Sequence, residues 1–283
     1  MPDLDGKVVL ITGAGGMRGV GRATVMKLAG LGADIALSDV HRETTDLPPA
    51  EVRNEWGGID TVSQEVQALG RRAVPIYCDL SDPRQIEDLV NQTMDQFGRI
   101  DILVNNARAI IGKDKVPVTQ LDKEVWDHFL AINTTAVFLT TKLVAPHMID
   151  SGRDGRIINI ASNAGKQASA NGAAYSASKF AVIGLTQAAA MDLAPYNITV
   201  NAVCPGPINT DRMSYWERDQ AVERGITQEE FRGQIVENSA QNTPLGRIAE
   251  AQDVANMVAF LAGDDASFIT GQAYNVNGGQ LFH

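Results

Sequence analysis

A phenol, an ammonium and a hydroxyl lie close together in the middle of the sequence. Tyr175 and Lys179 are four residues apart, and Ser162 precedes the tyrosine by 13 residues. If the segment from Ala173 onward is helical, the tyrosine and the lysine lie one turn apart on the same face. A nearby cation favours the phenolate and lowers the pKa of a tyrosine, so this pair is a candidate proton donor and acceptor. A Tyr/Lys pair on an exposed helix face is the alternative interpretation.

The position of Ser162 supports the chemical interpretation. Residues 156–161 form an apolar run that predicts a buried strand, and Ser162 is the polar residue that follows it. In open α/β sheets, ligands bind at the carboxyl ends of the strands. The serine is therefore expected at the sheet edge where a ligand would lie.

A glycine-rich loop near the amino terminus predicts a dinucleotide site. The β-branched run at residues 7–12 leads into GAGGMRGVG, and an amphipathic helix follows. In this strand–loop–helix context, glycines let the backbone approach a pyrophosphate at the helix N-terminus. The next predicted strand ends at Asp39, whose carboxylate can accept hydrogen bonds from the adenosine ribose and would repel a 2′-phosphate. Asp39 therefore favours NAD over NADP, while the neighbouring His41 and Arg42 leave that preference open.

Three further strand ends carry polar residues. Asp79, followed by Leu80, ends the third strand and is expected either to contact the adenine or to cap the helix that starts near Pro83. Asn106 and Ala107 follow the fourth strand, where asparagines line a cleft or simply form a turn. The sixth strand ends in the stretch PGPINT at residues 205–210.

One asparagine interrupts the apolar face of a long helix predicted over residues 122–148. Asn133 falls in a buried register, and a buried asparagine must be hydrogen-bonded. It is expected to act either as a structural bridge or as the holder of a water molecule.

Composition excludes several classes of partner. The chain has 283 residues, 44% of them hydrophobic, and a formal net charge of −10, which argues against nucleic acid and anionic membranes as partners. No apolar run approaches the roughly 20 residues that span a bilayer, and the amino terminus lacks the features of a signal peptide. Cys78 and Cys204 are expected to be buried thiols of a cytoplasmic protein, and the four scattered histidines predict no metal site.

The alternation of strands and helices predicts an α/β fold in a single domain, residues 1–283. Residues 41–58 have little periodicity and are expected to form a long surface loop with room for one helical turn. Residues 211–242 are charged with sparse aromatics, which favours one or two short helices as a lid over the cleft. Within that lid, Tyr215 and Trp216, with Met213 and Phe231, are expected either to contact substrate or to pack the helices together.

Taken together, these residues resemble the short-chain dehydrogenase/reductase family over nearly the whole chain. The shared residues are the glycine loop, Asp79, Asn105, Asn106, Ala107, Asn133, Ser162, Tyr175, Lys179, Pro205, Gly206 and Thr210. The resemblance implies a Rossmann-like, doubly wound sheet of about seven parallel strands with helices on both faces, in a homotetramer. It also implies an oxidoreductase that transfers a hydride between a secondary alcohol (polyol, sugar or hydroxy-acid-like) and NAD+, or reduces the corresponding ketone.

The resemblance assigns roles to individual residues. Tyr175 is expected to be the acid/base at the reacting oxygen, and Ser162 to orient that oxygen. Lys179 would lower the pKa of Tyr175 and bind the nicotinamide ribose, while Asn133 holds a water in the proton relay. The remaining cofactor contacts implied are Pro205, Gly206, Ile208 and Thr210, the last two at the carboxamide.

The chain departs from the family in two places. The glycine pattern is longer by two residues; the best match is Gly13, Gly19 and Gly21 with Val20 between, and Gly15 or Gly16 are alternatives. Arg18, inside this loop, is a candidate phosphate ligand or an exposed arginine.

The second departure is Arg108, which stands where the family has glycine. Its cation is expected to meet the pyrophosphate, an anionic substrate group or the neighbouring chain. Lys166, Gln167 and Asn171 make the pocket edge polar and favour a hydroxylated or acidic substrate.

Two other functions are compatible with the resemblance. An NADPH-linked 3-oxoacyl carrier-protein reductase is disfavoured by Asp39 and by the acidic net charge, because an acidic carrier protein would need a basic docking face. A non-catalytic dinucleotide sensor would be expected to have lost part of the set Ser162, Tyr175 and Lys179, and this chain keeps all three.

Overall fold

The computed structural model describes residues 3–42, 47–110, 112–210 and 214–283, with only the backbone described at 214–216. The strands are β1 (Val8–Thr12), β2 (Asp34–Asp39), β3 (Ala73–Tyr77), β4 (Ile102–Asn105), β5 (Gly155–Ile160), β6 (Ile198–Pro205) and β7 (Ala273–Val276). The α-helices are α1 (Val20–Ala29), α2 (Pro49–Arg53), α3 (Ile59–Ala68), α4 (Pro83–Phe97), α5 (Lys123–Leu130), α6 (Ala136–Ser151), α7 (Ala173–Leu193), α8 (Ser214–Arg224), α9 (Gln228–Gln241) and α10 (Ala251–Ala262).

The seven strands form one parallel sheet, as predicted. Their order is β3-β2-β1-β4-β5-β6-β7, and every pairing is parallel. The chain reverses its direction of winding between β1 and β4, so the loops after these two strands diverge and leave a crevice at their carboxyl ends. Residues of β1, β5 and β6 are buried throughout, which explains why these strands are continuously apolar rather than alternating.

Helices cover both faces of the sheet and form two cores. On one face α1, α3 and α10 pack their apolar stripes against the strands, with Leu28 and Val258 fully buried. On the other face α4, α6 and α7 do the same, with Leu89 and Val144 fully buried. The helices keep their polar sides outward, and the carboxyl edge of the sheet is left for the loops that form the site.

The helix predicted over residues 122–148 extends from Lys123 to Ser151 and contains a π-helical turn. Residues Ala131–Thr135 form that turn between α5 and α6, and Asn133 lies within it. This helix is long and apolar enough to cross a membrane by length and composition. In the fold it is a core helix: Val144, Ala145 and Met148 are buried against the sheet, which accounts for its apolar composition.

The one helical turn expected within the surface loop at residues 41–58 is present where the structure describes the segment, but part of the segment packs inward. Residues 49–53 form α2, which begins at a proline as helices often do. Glu51 is only 1% exposed, and the Trp56 indole donates to the Gly15 carbonyl oxygen over 2.7 Å. Glutamate is usually exposed, so the polar composition of this segment did not predict that it packs inward.

Two short helices occupy the predicted lid, as α8 and α9. α9 begins with a capping box in which Thr227 and Glu230 exchange hydrogen bonds. Phe231 is buried beneath the Arg224 guanidinium, 4.7 Å from the ring centroid, so it packs the two helices together rather than lining the cleft. Met213 and the side chains of Tyr215 and Trp216 lie outside the described residues.

Both cysteines are free and buried. Burial, with the nearby Asp79, raises the pKa of Cys78 to about 12, and burial also raises the pKa of Cys204. Across the described ranges, no group of three or more His, Cys, Asp or Glu side chains is placed to hold a metal ion.

Candidate active site

The loops after β1, β4, β5 and β6 enclose a cavity of about 420 Å³ at the carboxyl edge of the sheet. Its lining brings together predicted residues from across the chain: Gly13, Gly19, Val20, Gly21, Asn106, Arg108, Ser162, Tyr175, Lys179, Pro205, Gly206, Ile208 and Thr210. The parallel sheet explains the convergence, because each of these strands ends at this edge.

The carboxyl end of β5 and the start of α7 bring the three reactive groups into this cavity. The Ser162 hydroxyl oxygen accepts from the Ala164 backbone N–H at 3.1 Å and so caps a 3-10 turn at Asn163–Gly165. Tyr175 and Lys179 lie in the first two turns of α7, and the Lys179 ammonium is 5.9 Å from the centre of the Tyr175 ring. The same ammonium donates to the Ile160 carbonyl oxygen over 2.7 Å, which fixes its position.

A close helix contact makes this geometry possible. A Cβ atom at Gly165 would stand 2.7 Å from the Lys179 carbonyl oxygen, so the 3-10 turn packs against α7 only because residue 165 has no side chain. A larger residue there would push α7, and with it Tyr175, away from Ser162.

The environment of Lys179 makes it an unusual lysine. Its side chain is buried, and burial together with the nearby Arg108 cation lowers the pKa of Lys179 to about 7. The charged form is disfavoured by the loss of water and by a like charge. The ammonium that the predicted chemistry requires is therefore in balance with the neutral amine near neutral pH.

The glycine loop is packed too tightly for side chains at two of its predicted positions. Gly13 has φ +70°, and a Cβ atom there would stand 2.7 Å from the Ala107 Cα atom. A Cβ atom at Gly21 would stand 2.3 Å from the Gly13 carbonyl oxygen. Gly19 precedes α1 with no side-chain cap, which leaves the first-turn N–H groups of that helix to an anion. These contacts favour the alignment through Gly13, Gly19 and Gly21.

Two neighbouring asparagines have separate functions. The Asn105 side chain accepts from Thr140 at 2.7 Å and donates to Asn159 at 2.9 Å, which ties β4 to β5 in the middle of the sheet. The Asn106 amide donates to the Thr12 and Gly13 carbonyl oxygens and thereby fixes the loop after β4 against the glycine loop.

A second cavity of about 200 Å³ adjoins the first at Gly13 and Arg108, which line both. It is lined by Asp39, Asp79, Leu80 and Ala107, the residues predicted for the adenosine end. The Asp39 carboxylate accepts from the Gly15 N–H at 2.7 Å and from the Val40 N–H at 2.8 Å, so it is held at the cavity wall. A cleft that joins an acidic end, a glycine cradle and a Tyr/Lys pair fits a nicotinamide dinucleotide.

Asn133 acts as a structural bridge. It is completely buried; its side-chain oxygen accepts from the Ala109 N–H at 2.8 Å, and its amide donates to the Ser178 hydroxyl at 2.9 Å. The Ser178 hydroxyl in turn donates to the Tyr175 carbonyl oxygen at 2.8 Å. The π-helical turn therefore connects the segment after β4 to the helix that carries Tyr175.

Three of the predicted residues lie outside the lining of both cavities. The Lys166 ammonium donates to the Ala273 carbonyl oxygen of β7 over 2.6 Å, a structural contact, so its contact with substrate stays a prediction. Arg18 is exposed, which was one of its two expected states, and Asn171 is exposed as well. Gln167 does line the cavity, as predicted, and keeps its edge polar.

Some lining residues were not identified from the sequence. Asn163 and Ser169 line the main cavity, and Pro48 and His128 line the adjoining one. Asn163 and Ser169 lie within residues 162–179, so their closeness in sequence to Ser162 and Tyr175 could have indicated them. His128 and Pro48 come from elements distant in sequence, and only the fold places them there.

Comparisons with known proteins agree with this geometry. Residues 7–221 match the family model described as short chain dehydrogenase. A sorbitol dehydrogenase of Cereibacter sphaeroides is 35% identical over 98% of both chains, and a 3-oxoacyl acyl-carrier-protein reductase of Thermotoga maritima is 34% identical over 98% of both. The crystal structure of an NAD+-bound xylitol dehydrogenase superimposes with a TM-score of 0.82 at 34% identity, covering 98% of this chain and 99% of the other.

The extent of these matches, the order of the seven strands and the shared cavity of Ser162, Tyr175 and Lys179 lead to one conclusion. The chain belongs to the short-chain dehydrogenase/reductase family and is an oxidoreductase that acts on the CH–OH group of alcohols.

Proposed function

We propose that this protein is an NAD-dependent dehydrogenase of secondary alcohols of the polyol, sugar or hydroxy-acid type, or a reductase of the corresponding ketones. The observation that carries the proposal is the continuous cleft in which Ser162, Tyr175 and Lys179 face the glycine cradle and Asp39 forms the far wall. A substrate carbinol at the tyrosine end would lie next to the part of the cleft that accepts the nicotinamide.

The proposed roles follow from where the side chains lie. Bound NAD+ would accept the hydride from the substrate carbon. Tyr175 takes the hydroxyl proton at its phenol oxygen during oxidation and returns a proton during reduction. Ser162 orients the same substrate oxygen by a hydrogen bond, and Lys179 stabilises the phenolate of Tyr175 through its positive charge.

Asn133 has a positioning role in this proposal. Its hydrogen bond to Ser178, which holds the Tyr175 carbonyl oxygen, fixes the first turn of α7 relative to the cleft. A water held at the π-helical turn remains part of the proposal for the proton relay.

Preference for NAD is supported by the Asp39 carboxylate. It is fixed by two backbone N–H groups at the end of β2, where it can accept from both ribose hydroxyls. A 2′-phosphate in that place would bring like charges together. The NAD+-bound xylitol dehydrogenase structure agrees with this preference.

The substrate class is supported by polar groups around the cavity and by the relatives. Gln167, Ser169 and Arg108 line the cavity and can hydrogen-bond additional hydroxyl or carboxylate groups of a substrate. Sorbitol and xylitol dehydrogenases are among the similar proteins, and both names refer to polyols.

The second candidate function is reduction of a 3-oxoacyl group on a carrier protein with NADPH. It is favoured by the Thermotoga maritima relative at 34% identity. Asp39 and the net charge of −10 oppose it, because the first disfavours NADPH and the second repels an acidic carrier.

A homotetramer in the cytoplasm completes the proposal. Large apolar side chains are exposed on α6 and α7 (Phe138, Phe180 and Met191) and near α10 and β7 (Leu245, Phe260, Phe268 and Phe282). If each group forms a self-associating surface, the two together meet the requirement of a tetramer with twofold axes. The buried free cysteines are consistent with a reducing compartment.

The direct test is formation of NADH or NADPH by the purified protein with a panel of secondary alcohols, polyols and hydroxy acids, together with oxidation of NADPH in the presence of 3-oxoacyl thioesters. Each compound is measured with NAD+ and with NADP+. We expect turnover of at least one polyol or hydroxy acid, with kcat/KM higher for NAD+. Turnover only of 3-oxoacyl thioesters with NADPH would favour the second candidate. Absence of turnover in protein that binds NADH would favour the sensor.

Tyr175→Phe tests the proposed acid/base directly. Removal of the phenol oxygen is expected to lower kcat by about 100-fold or more, because the proton has no acceptor. The dissociation constant of NADH, measured by fluorescence titration, should stay within about twofold of the wild-type value. Tyr196→Phe, at an exposed tyrosine after the same helix, is the matched control and should be fully active. Retained turnover in Tyr175→Phe would contradict the role.

A further inference from the structure

The glycine loop is hydrogen-bonded to a segment that lies beside it in space. We call residues 47–58 the bracing segment. The Trp56 indole donates to the Gly15 carbonyl oxygen at 2.7 Å, and the Glu51 side-chain oxygen Oε1 accepts from the Met17 N–H at 2.9 Å. These two bonds fix the middle of the glycine loop, where the spacing of the glycines is two residues longer than in the family pattern.

Glu51 is buried, and a buried carboxylate requires a positive partner. Among the described residues Arg42 supplies such a charge, because its guanidinium nitrogen Nη1 lies 3.7 Å from Glu51 Oε2. The other terminal nitrogen of Arg42 lies 4.0 Å from Asp39 Oδ2. Arg42 is therefore held between two carboxylates, one of which is the residue expected to bind the ribose.

Arg42 also lines the cavity that contains Asp39 and Asp79. An arginine at this end of a dinucleotide site is the group that accommodates the 2′-phosphate of NADP. At this position Arg42 would favour NADP and would oppose the preference for NAD set by Asp39, unless its positive charge were already paired. The Glu51 carboxylate supplies that pairing through the Nη1 nitrogen of Arg42, at 3.7 Å.

We propose that Glu51 is a second acidic determinant of dinucleotide choice: by pairing with Arg42 it keeps the guanidinium from serving a 2′-phosphate. The inference rests on the proposed NAD-dependent function and extends it to a residue outside the lining of either cavity. With Glu51 charged, the set Asp39, Arg42 and Glu51 carries a net charge of −1. With Glu51 neutral, the charges of Asp39 and Arg42 cancel.

The test is Glu51→Gln, which removes the charge and keeps an oxygen to accept from the Met17 N–H. Dissociation constants of NADH and NADPH are measured by fluorescence titration at low ionic strength, and kcat/KM is measured with NAD+ and NADP+. We expect NADPH to bind about fivefold more tightly relative to NADH than in the wild type, because one negative charge is removed near the end of the site that would face the 2′-phosphate. Glu55→Gln, at an exposed glutamate of the same segment, is the control and should leave the ratio unchanged.

A double variant tests whether Glu51 affects dinucleotide choice through Arg42 or only holds the glycine loop in place. In the double variant Glu51→Gln/Arg42→Gln the gain in NADPH binding should disappear. Equal weakening of NADH and NADPH in Glu51→Gln would show that Glu51 only braces the loop, and an unchanged ratio would show that it has no role; either result overturns the inference. Wild-type protein that binds neither dinucleotide would instead refute the proposed function itself.

A second variant keeps the inference testable if Glu51→Gln fails to fold. Asp39→Asn alone leaves Glu51 beside Arg42, so NADH should still bind more tightly than NADPH in that variant. An outright preference for NADPH in Asp39→Asn would show that Arg42 serves the 2′-phosphate despite Glu51, which would overturn the inference.

Discussion

Lys179 and Arg108 are two cations that line the same cavity. Arg108 also lines the adjoining cavity and is the nearby charge that, after burial, lowers the pKa of Lys179. The structure therefore links the arginine to the protonation of the lysine beside Tyr175.

Arg108→Gln tests that link by the pH dependence of kcat/KM. A like charge disfavours the ammonium, so its removal should raise the pKa of Lys179 above about 7. The ionisation near neutral pH in the profile is expected to move to higher pH, and the protonated lysine to persist over a wider range. Arg153→Gln, an exposed arginine after α6, should leave the profile unchanged. A shift to lower pH in Arg108→Gln would contradict the assignment.

At the scale of elements, the π-helical turn in the long helix is held by a side chain. Asn133 satisfies the Ala109 N–H from inside that turn and contacts Ser178 of α7. A π-helical turn within an α-helix is rare and is frequently found at functional sites. Here the turn orients the Asn133 side chain so that it contacts both the segment after β4 and α7. An uninterrupted helix would not orient it in this way.

Asn133→Ala is expected to lower the free energy of unfolding by roughly 2–3 kcal/mol, because it leaves the buried Ala109 N–H without its acceptor and opens a small cavity. Urea denaturation measures this change. Asn91→Ala on the exposed side of α4 is the control and should be neutral or slightly stabilising, since alanine favours helices. A loss below about 0.5 kcal/mol in Asn133→Ala would contradict the bridging role.

At the scale of the whole molecule, the two exposed apolar surfaces give a direct test of assembly. Wild-type protein is expected to sediment at four times the 30.3 kDa mass of one chain. Phe180→Glu places a charge on the α7 surface and should yield dimers, because only the surface near α10 and β7 remains. Val118→Glu, at an exposed valine outside both surfaces, should remain a tetramer. A monomeric wild type would refute the proposal.

The sequence by itself determined the fold and the central chemistry of this protein. Continuous apolar strands alternating with amphipathic helices indicate a parallel sheet covered by helices, and the family resemblance implied that the sheet is doubly wound. Ser162, Tyr175 and Lys179 were predictable because the first ends a strand and the other two share a helix face. Local spacing carries that information.

The tertiary structure alone decided which groups meet across the cleft. Lys166 and Gln167 are adjacent in sequence, yet one bonds β7 and the other lines the cavity. Glu51 reads as an exposed residue in a polar segment, and its burial against Arg42 depends on how that segment lies across the glycine loop. The lowered pKa of Lys179 likewise arises from burial and from Arg108, which follows another strand. Burial and the distance between charges depend on three-dimensional packing, so they cannot be read from residue type and local spacing.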